Sequence, residues 1–269
     1  MNIFAASFSG LELLIYALFG LVFGSFFNVV IIRINKQSIV FPASYCDECK
    51  SPLKWYHNIP LISWLMLRGK CSFCSKSISI QYPIVELLGM LAFMLAKCIV
   101  FYDDLQAVLL GLCLCTLIAL SVIDLKYKAV PESLLLLSLV LGLASSYDLL
   151  FISSLKHALI FAGAIVLLKS FLSFFKNLGK DEILEPMGDA DIIIIALIGA
   201  LLGPLLGCFA IFLGSVLTLP FFLYLRIKGL AHNYEMPFIP FLSMGFVISL
   251  ALKLPLSILL SSHFAVFLA

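Results

Sequence analysis

The sequence predicts an all-α polytopic membrane protein, with about eight transmembrane helices and a small cytoplasmic zinc-binding domain between the first two. Three observations predict this fold. Of the 269 residues, 63% are hydrophobic and only 12% are charged, whereas a soluble domain is about half apolar and about a quarter charged. Apolar runs of about 20 residues, enough to cross a bilayer, recur along the chain. One long polar stretch interrupts them and carries two Cys-x-x-Cys pairs.

Composition also excludes several classes of protein. A chain of this size cannot hide so much apolar surface in a soluble core, so a lipid bilayer is the expected environment. Soluble enzymes, disordered chains and secreted disulfide scaffolds are therefore excluded. The formal net charge of +2 is too small to indicate nucleic acid as a partner.

The predicted spans follow the apolar runs in order. Gly203-Pro204 divides one long run and predicts a tight turn between two helices. The first run has no basic segment before it and no small-residue cleavage site after it, so we expect a retained helix. The spans are predicted at residues 9–32, 83–101, 105–124, 131–150, 155–175, 189–204, 205–226 and 237–260.

Lysine and arginine predict the orientation, because cytoplasmic loops are enriched in both. The polar segment after the first span holds seven basic residues: Arg33, Lys36, Lys50, Lys54, Arg68, Lys70 and Lys76. This segment is predicted to be cytoplasmic. Counting eight spans onward then places both termini outside.

Four cysteines in the polar segment have the spacing of a zinc site: Cys46, Cys49, Cys71 and Cys74. Two thiolates three positions apart reach one ion, and two such pairs complete a tetrahedron. Four thiolates leave no open position for water, which favours structural over catalytic zinc. The alternatives are a pair of disulfides, which are rare in a reducing cytoplasm, and thiols with no ligand role. The chain is predicted to divide into residues 1–33, 34–82 and 83–269, of which the second is the zinc domain.

Two aspartates lie where predicted spans meet water. Asp124 ends the third span and Asp191 begins the sixth, both on the cytoplasmic side. Two neighbouring carboxylates could share a proton and serve as acid and base. The alternative for Asp191 is a helix cap, and nearby lysines could offset the charge of Asp124. Another charged residue, Lys169, lies inside an apolar run, where its long stem predicts snorkelling to the membrane surface.

Several stretches together resemble the type IV prepilin peptidases, which are bifunctional prepilin leader peptidase/N-methyltransferases. The stretches are 24–30 with Arg33, the four cysteines with Asn58, Pro60 and Trp64, 81–87, Asp124 with Pro131, and 237–242 with Gly245. The resemblance covers almost the whole chain. It implies that residues 83–269 form the aspartic peptidase domain and that residues 34–82 form the methyltransferase region.

The resemblance departs at the second aspartate motif, which is usually Gly-x-Gly-Asp followed by a lysine two positions later. Two alignments fit this sequence, and they make either Asp191 or Asp189 catalytic. Asp191 is preferred, because the small residues that follow it then fall in register with the family. In that alignment Ala190 replaces the second glycine and Ile193 replaces the lysine.

The resemblance implies cleavage of the leader from type IV prepilins or pseudopilins at the cytoplasmic face of the bacterial inner membrane. It also implies methylation of the new N-terminus with S-adenosylmethionine. Glu86 is a candidate contact for this cofactor, and the alternative for it is a favourable acid in the first turn of a helix begun by Pro83.

Two other functions fit parts of the sequence. An ion-coupled transporter would use Asp124 and Asp191 as cation sites, but it predicts further polar residues deep in the spans, and these are scarce. A non-catalytic assembly scaffold would use the zinc domain for docking, and either aspartate could then be replaced without loss of function.

Overall fold

The computed structural model describes residues 10–34, 38, 41, 43–46, 48–147, 151–178, 188–228 and 236–267. Eight α-helices form this part of the chain, and two isolated antiparallel bridges are its only β-structure. The helices are α1 (Gly10–Arg33), α2 (Ile62–Met66), α3 (Gln81–Ile99), α4 (Asp104–Tyr127), α5 (Glu132–Ala144), α6 (Phe151–Asn177), α7 (Asp189–Ile227) and α8 (Ile239–Phe267).

Five of these helices are long and apolar enough to cross a membrane, namely α1, α3, α4, α6 and α7. The protein is therefore a multi-pass membrane protein, as predicted. Each of the eight predicted spans falls on a helix. The fourth predicted span is shorter than expected, because α5 has only 13 residues and is about 20 Å long.

The chain divides into two compact units, residues 1–119 and 120–269, and the boundary falls inside α4. This boundary differs in kind from the functional division into residues 1–33, 34–82 and 83–269, which stays a prediction. The four cysteines belong to the first unit, and Asp124, Asp189 and Asp191 belong to the second.

In the first unit, α1 and α3 pack with their backbones in close contact. Glycines lie at the crossing, and a Cβ on Gly20 would collide with the carbonyl oxygen of Gly89. A Cβ on Gly24 would lie only 2.8 Å from the Cα of Glu86. Small residues that let helix backbones approach are typical of membrane helix pairs. This packing fixes the start of α3 against α1.

In the second unit, α7 reverses direction at Gly203, whose φ of 71° and ψ of −174° are not helical. A Cβ on Gly207 would lie 3.7 Å from the Cα of Gly199, although eight residues of continuous helix would separate the two by about 12 Å. The helix therefore consists of two antiparallel arms, residues 189–202 and 204–227. This confirms the predicted turn, and the ring of Phe161 from α6 packs against both glycines.

The break at Gly203 leaves carbonyl groups at the end of the first arm without their usual helical donors. One of them, the carbonyl oxygen of Leu201, accepts a 3.0 Å hydrogen bond from the ammonium group of Lys253 on α8. A charged donor at the C-terminus of a helix also interacts favourably with the helix dipole. Lys253 thus ties α8 to the point where α7 turns.

Candidate functional site

The four predicted zinc ligands lie on two turns of the same design. In the first turn, an antiparallel bridge joins Tyr45 to Pro52, and the N–H of Lys50 donates to the carbonyl of Cys46 over 2.9 Å. In the second, a bridge joins Lys70 to Ser77, and the N–H of Ser75 donates to Cys71 over the same distance. Each turn presents the two sulfurs of its Cys-x-x-Cys pair to one point.

The four Sγ atoms of Cys46, Cys49, Cys71 and Cys74 lie within 4.8 Å of one another. The Sγ atoms of Cys46 and Cys74 are 3.8 Å apart across the two turns. A tetrahedral zinc site with Zn–S bonds of about 2.3 Å has an S–S edge of about 3.8 Å. The geometry fits zinc and not a disulfide, whose S–S bond is about 2.05 Å. None of the eight cysteines is in a disulfide.

Local hydrogen bonds favour the thiolate form of two of these ligands. Contacts with the side chain and backbone of Ser51 lower the pKa of Cys49 to about 6. The backbone N–H groups of Phe73 and Cys74 lower the pKa of Cys71. Zinc binds the thiolate, so these hydrogen bonds favour metal binding at Cys49 and Cys71.

Asp124 is buried at the end of α4, with 8% of the residue exposed. Its Oδ2 atom accepts a 3.2 Å hydrogen bond from the N–H of Ile239, the first residue of α8. A carboxylate is disfavoured at the C-terminus of its own helix but favoured at the N-terminus of another. The start of α8 therefore stabilises the position of Asp124, a contact that the sequence did not reveal.

Asp191 is half-buried in the first turn of α7, and the negative charge of Asp124 acts on it. The two aspartates that the preferred alignment selects are thus near enough for their charges to interact. Two carboxylates that come within hydrogen-bond reach of each other can share one proton, and such a pair can both take up and donate a proton. That they catalyse a reaction stays a prediction.

Asp189 has a different environment from Asp191, although only one residue separates them. Its side chain is 82% exposed and its Oδ1 atom lies 2.5 Å from the ammonium group of Lys169 on α6. The cap of α7 is Gly188, with no side-chain hydrogen bond. Asp189 therefore does not cap the helix: it lies within the first turn and pairs with Lys169.

Glu86 is buried on α3, with 6% of the residue exposed. Its Oε2 atom accepts a 2.8 Å hydrogen bond from the N–H of Leu61, and the side chain of Ser25 also donates to it. Helix α3 begins at Gln81, so Glu86 lies in the second turn and not in the first turn of a helix begun by Pro83. Glu86 connects α1, α3 and the start of α2.

Comparison with known proteins decides the family. The model of the bacterial peptidase A24 N-terminal domain matches residues 18–100, and the model of the type IV leader peptidase family matches residues 111–223. A prepilin leader peptidase/N-methyltransferase of Xanthomonas campestris is 36% identical, and the match covers 84% of this chain and 86% of that protein. The chain belongs to the type IV leader peptidase family.

Other members of the type IV leader peptidase family agree. The protein of Legionella pneumophila with the same name is 31% identical, over 88% of this chain and 90% of its own. A type 4 prepilin-like proteins leader peptide-processing enzyme of Escherichia coli is 34% identical, and the match covers 69% of this chain and 75% of that protein. No solved structure matches the chain. These matches favour an enzyme over a transporter or a scaffold.

Proposed function

We propose that this protein cleaves the leader peptide of type IV prepilins or pseudopilins with Asp124 and Asp191, and then methylates the new N-terminus. Membership of the leader peptidase family supports the reaction class. The observation that carries the proposal is the electrostatic interaction of Asp191 with Asp124, whereas Asp189 forms an ion pair with Lys169. Both activities are those named for the curated relatives.

The peptidase step needs one proton acceptor and one proton donor. The ionised member of the pair takes a proton from a water molecule, and the oxygen of that water bonds to the scissile carbonyl carbon. The protonated member donates its proton to the carbonyl oxygen. When this intermediate collapses, the C–N bond breaks and the amine leaves with the proton that was taken from water. The carbonyl oxygen returns its proton to the other carboxylate, which restores the pair.

The position of the pair suits a substrate that is partly embedded in the membrane. Asp124 lies at the end of one helix and Asp191 at the beginning of another, so both lie at helix ends and not at mid-span. A hydrophobic substrate helix can remain in the bilayer while its polar leader reaches the carboxylates from water. The basic residues of segment 33–82 support a cytoplasmic active face in the bacterial inner membrane.

The methyltransferase step requires a methyl donor, which we propose to be S-adenosylmethionine. When bound, this cofactor supplies a methyl group to the free amine that cleavage exposes. The proposed methyltransferase region is the zinc domain, in which Cys46, Cys49, Cys71 and Cys74 would hold one structural zinc ion. Glu86 stays a candidate contact, although Leu61 and Ser25 already donate to its carboxylate.

The test uses purified full-length protein and a prepilin that carries its leader and hydrophobic helix. Mass spectrometry follows cleavage and methylation separately, and methylation is also assayed on a substrate that has already been cleaved. Asp124→Asn and Asp191→Asn should abolish cleavage but retain methylation of the cleaved substrate, since Asn cannot exchange the proton. Near-normal cleavage by either variant would falsify the two-aspartate mechanism.

A further inference from the structure

Helix α2 carries an apolar face that the protein does not cover. Its residues Ile62, Leu65 and Met66 are 55%, 66% and 79% exposed. Residues three and four positions apart lie on the same side of a helix, so these three side chains form one face. Water would oppose such exposure, because each large apolar side chain favours burial by about 1.5–3 kcal/mol.

The depth of α2 in the membrane follows from the length of α3. The 19 residues of α3 extend for about 28 Å at 1.5 Å per residue. The hydrocarbon core of a bilayer is about 30 Å thick. Helix α3 must therefore use nearly its whole length to cross, and its first residue lies at the membrane boundary.

A hydrogen bond to Glu86 fixes the depth of α2 relative to α3. As the sixth residue of α3, Glu86 lies about 7 Å along the helix from its start, below the level of the boundary. The N–H of Leu61, which immediately precedes α2, donates to Oε2 of Glu86 over 2.8 Å. Since a helical side chain leans toward the N-terminus of its own helix, the bond to Glu86 holds the start of α2 close to the level of the membrane boundary.

Charged and aromatic neighbours of α2 fit the same depth. Arg68 and Lys70 follow α2, Lys54 and Trp55 precede it, and all four are exposed. Tryptophan is enriched at the membrane–water interface. Each basic residue near an anionic membrane surface contributes about 1 kcal/mol of attraction. The sequence around α2 therefore combines an apolar face with positive charge at its ends.

We propose that α2 lies in the lipid–water interface of the bilayer. Its Ile62, Leu65 and Met66 side chains rest on the acyl chains, and Arg68 and Lys70 contact anionic headgroups. The zinc domain is then seated on the membrane by α2 as well as tethered by α1 and α3. The role of Glu86 is to position α2 at this depth, independently of any contact with a methyl donor.

Lipid fits this face better than a second protein does. The three side chains expose on the order of 400 Å² together, about half of what one partner buries in a standard protein interface. The depth set by Glu86 also places lipid next to the face whether or not a substrate is present. A second copy of the chain and a substrate helix are the competing occupants.

Tryptophan fluorescence tests the proposal, because the chain has only two tryptophans. Met66→Trp is made in a Trp55→Phe background, and the signal of Trp64 is subtracted with the Trp55→Phe protein alone. Ile62→Trp is a second reporter on the same face, in case the first disturbs folding. Glu48→Trp is the matched exposed control, since Glu48 lies on the first zinc turn with 58% of its side chain exposed. Bound zinc reports the folding of every variant.

The proteins are reconstituted at high dilution in vesicles of phosphatidylcholine and phosphatidylglycerol that contain a lipid brominated near the top of its acyl chains. We expect this lipid to quench Met66→Trp and Ile62→Trp at least twofold more than Glu48→Trp, and aqueous acrylamide to show the opposite order. Adding Arg68→Gln and Lys70→Gln, or omitting phosphatidylglycerol, should reduce the quenching by lipid.

Equal access of acrylamide to the α2 reporters and to Glu48→Trp, without quenching by lipid, would overturn the proposal. So would quenching that appears only when substrate is omitted, which identifies a substrate helix as the occupant. Protection from both quenchers that grows with protein density would identify a second copy. Each readout is independent of cleavage, so the proposal can fail while the proposed function stands.

Discussion

Asp189→Asn is expected to leave cleavage nearly intact and to cost only a little stability. The carboxylate of Asp189 is 82% exposed and the side chain of Lys169 is 19% exposed, so solvent screens much of their attraction. A pair of this kind contributes about 0.5–1 kcal/mol. For a chain of this size, that loss lowers the melting temperature by about 1–4 °C.

Asp191→Asn should give the opposite result. Loss of an acid–base group reduces the rate by roughly 10²–10⁴-fold, whereas the fold should persist, because Asn has nearly the shape of Asp. The assay compares cleavage of one prepilin by both purified variants, with thermal unfolding measured in the same detergent. We expect cleavage by Asp189→Asn to lie within about tenfold of the parent, which corresponds to about 1.4 kcal/mol of activation free energy.

Lys169 supplies the internal control for this interpretation. If Asp189 acts on stability through its ion pair, then Asp189→Asn should have almost no further effect in a Lys169→Met background. A coupling free energy similar to the loss in the single variant is the expected result of this double-mutant cycle. A folded Asp189→Asn protein with cleavage as low as that of Asp191→Asn would refute the reasoning and move the catalytic role to Asp189.

Three further predictions concern the framework of the protein. Cys71→Ser should lower the bound zinc measured by atomic absorption and destabilise the two cysteine turns. One full equivalent of zinc in a variant that lacks every one of the four ligand cysteines would contradict the site. Ser75→Gly should stabilise the zinc domain by up to about 1 kcal/mol, because Ser75 has a φ of 58° and a left-handed conformation costs a non-glycine residue about 1–2 kcal/mol. An unchanged or lower melting temperature in calorimetry would show that strain at Ser75 is negligible. Gly203→Ala should reduce stability by about 1–3 kcal/mol in thermal unfolding, since a φ of 71° with a ψ of −174° is essentially restricted to glycine. A neutral effect would mean that the backbone of the turn adopts another conformation without cost.

The membrane fold could be predicted because its signals are local. Each span is a continuous apolar run, and the turn in α7 is indicated by the adjacent residues Gly203 and Pro204. The cluster of four cysteines could be predicted equally well, since each Cys-x-x-Cys pair forms its own turn. Its tetrahedral closure needs only that two such turns meet.

The neighbours of the aspartates could not be predicted, because they come from distant parts of the chain. Asp124 meets the N–H of Ile239, and no local pattern pairs a helix end with a later helix start. Lys169 carried a weak signal as a lysine in an apolar run, but the sequence cannot distinguish a lysine that snorkels from one that pairs with Asp189. Only the packing of α6 against α7 distinguishes the two.

The contact between Asp124 and Ile239 also explains why an acid can be placed at the end of α4. The free carbonyl groups there repel a carboxylate, and Lys126 and Lys128 were the only local compensation that the sequence offered. The structure supplies a stronger one in the N-terminus of α8, whose N–H group is held by Asp124 itself. Because Asp191 also lies in the first turn of a helix, each of the two aspartates meets a helix N-terminus. Their partial positive charges offset the cost of one negative charge near lipid, which the proposed proton-sharing pair of aspartates would require.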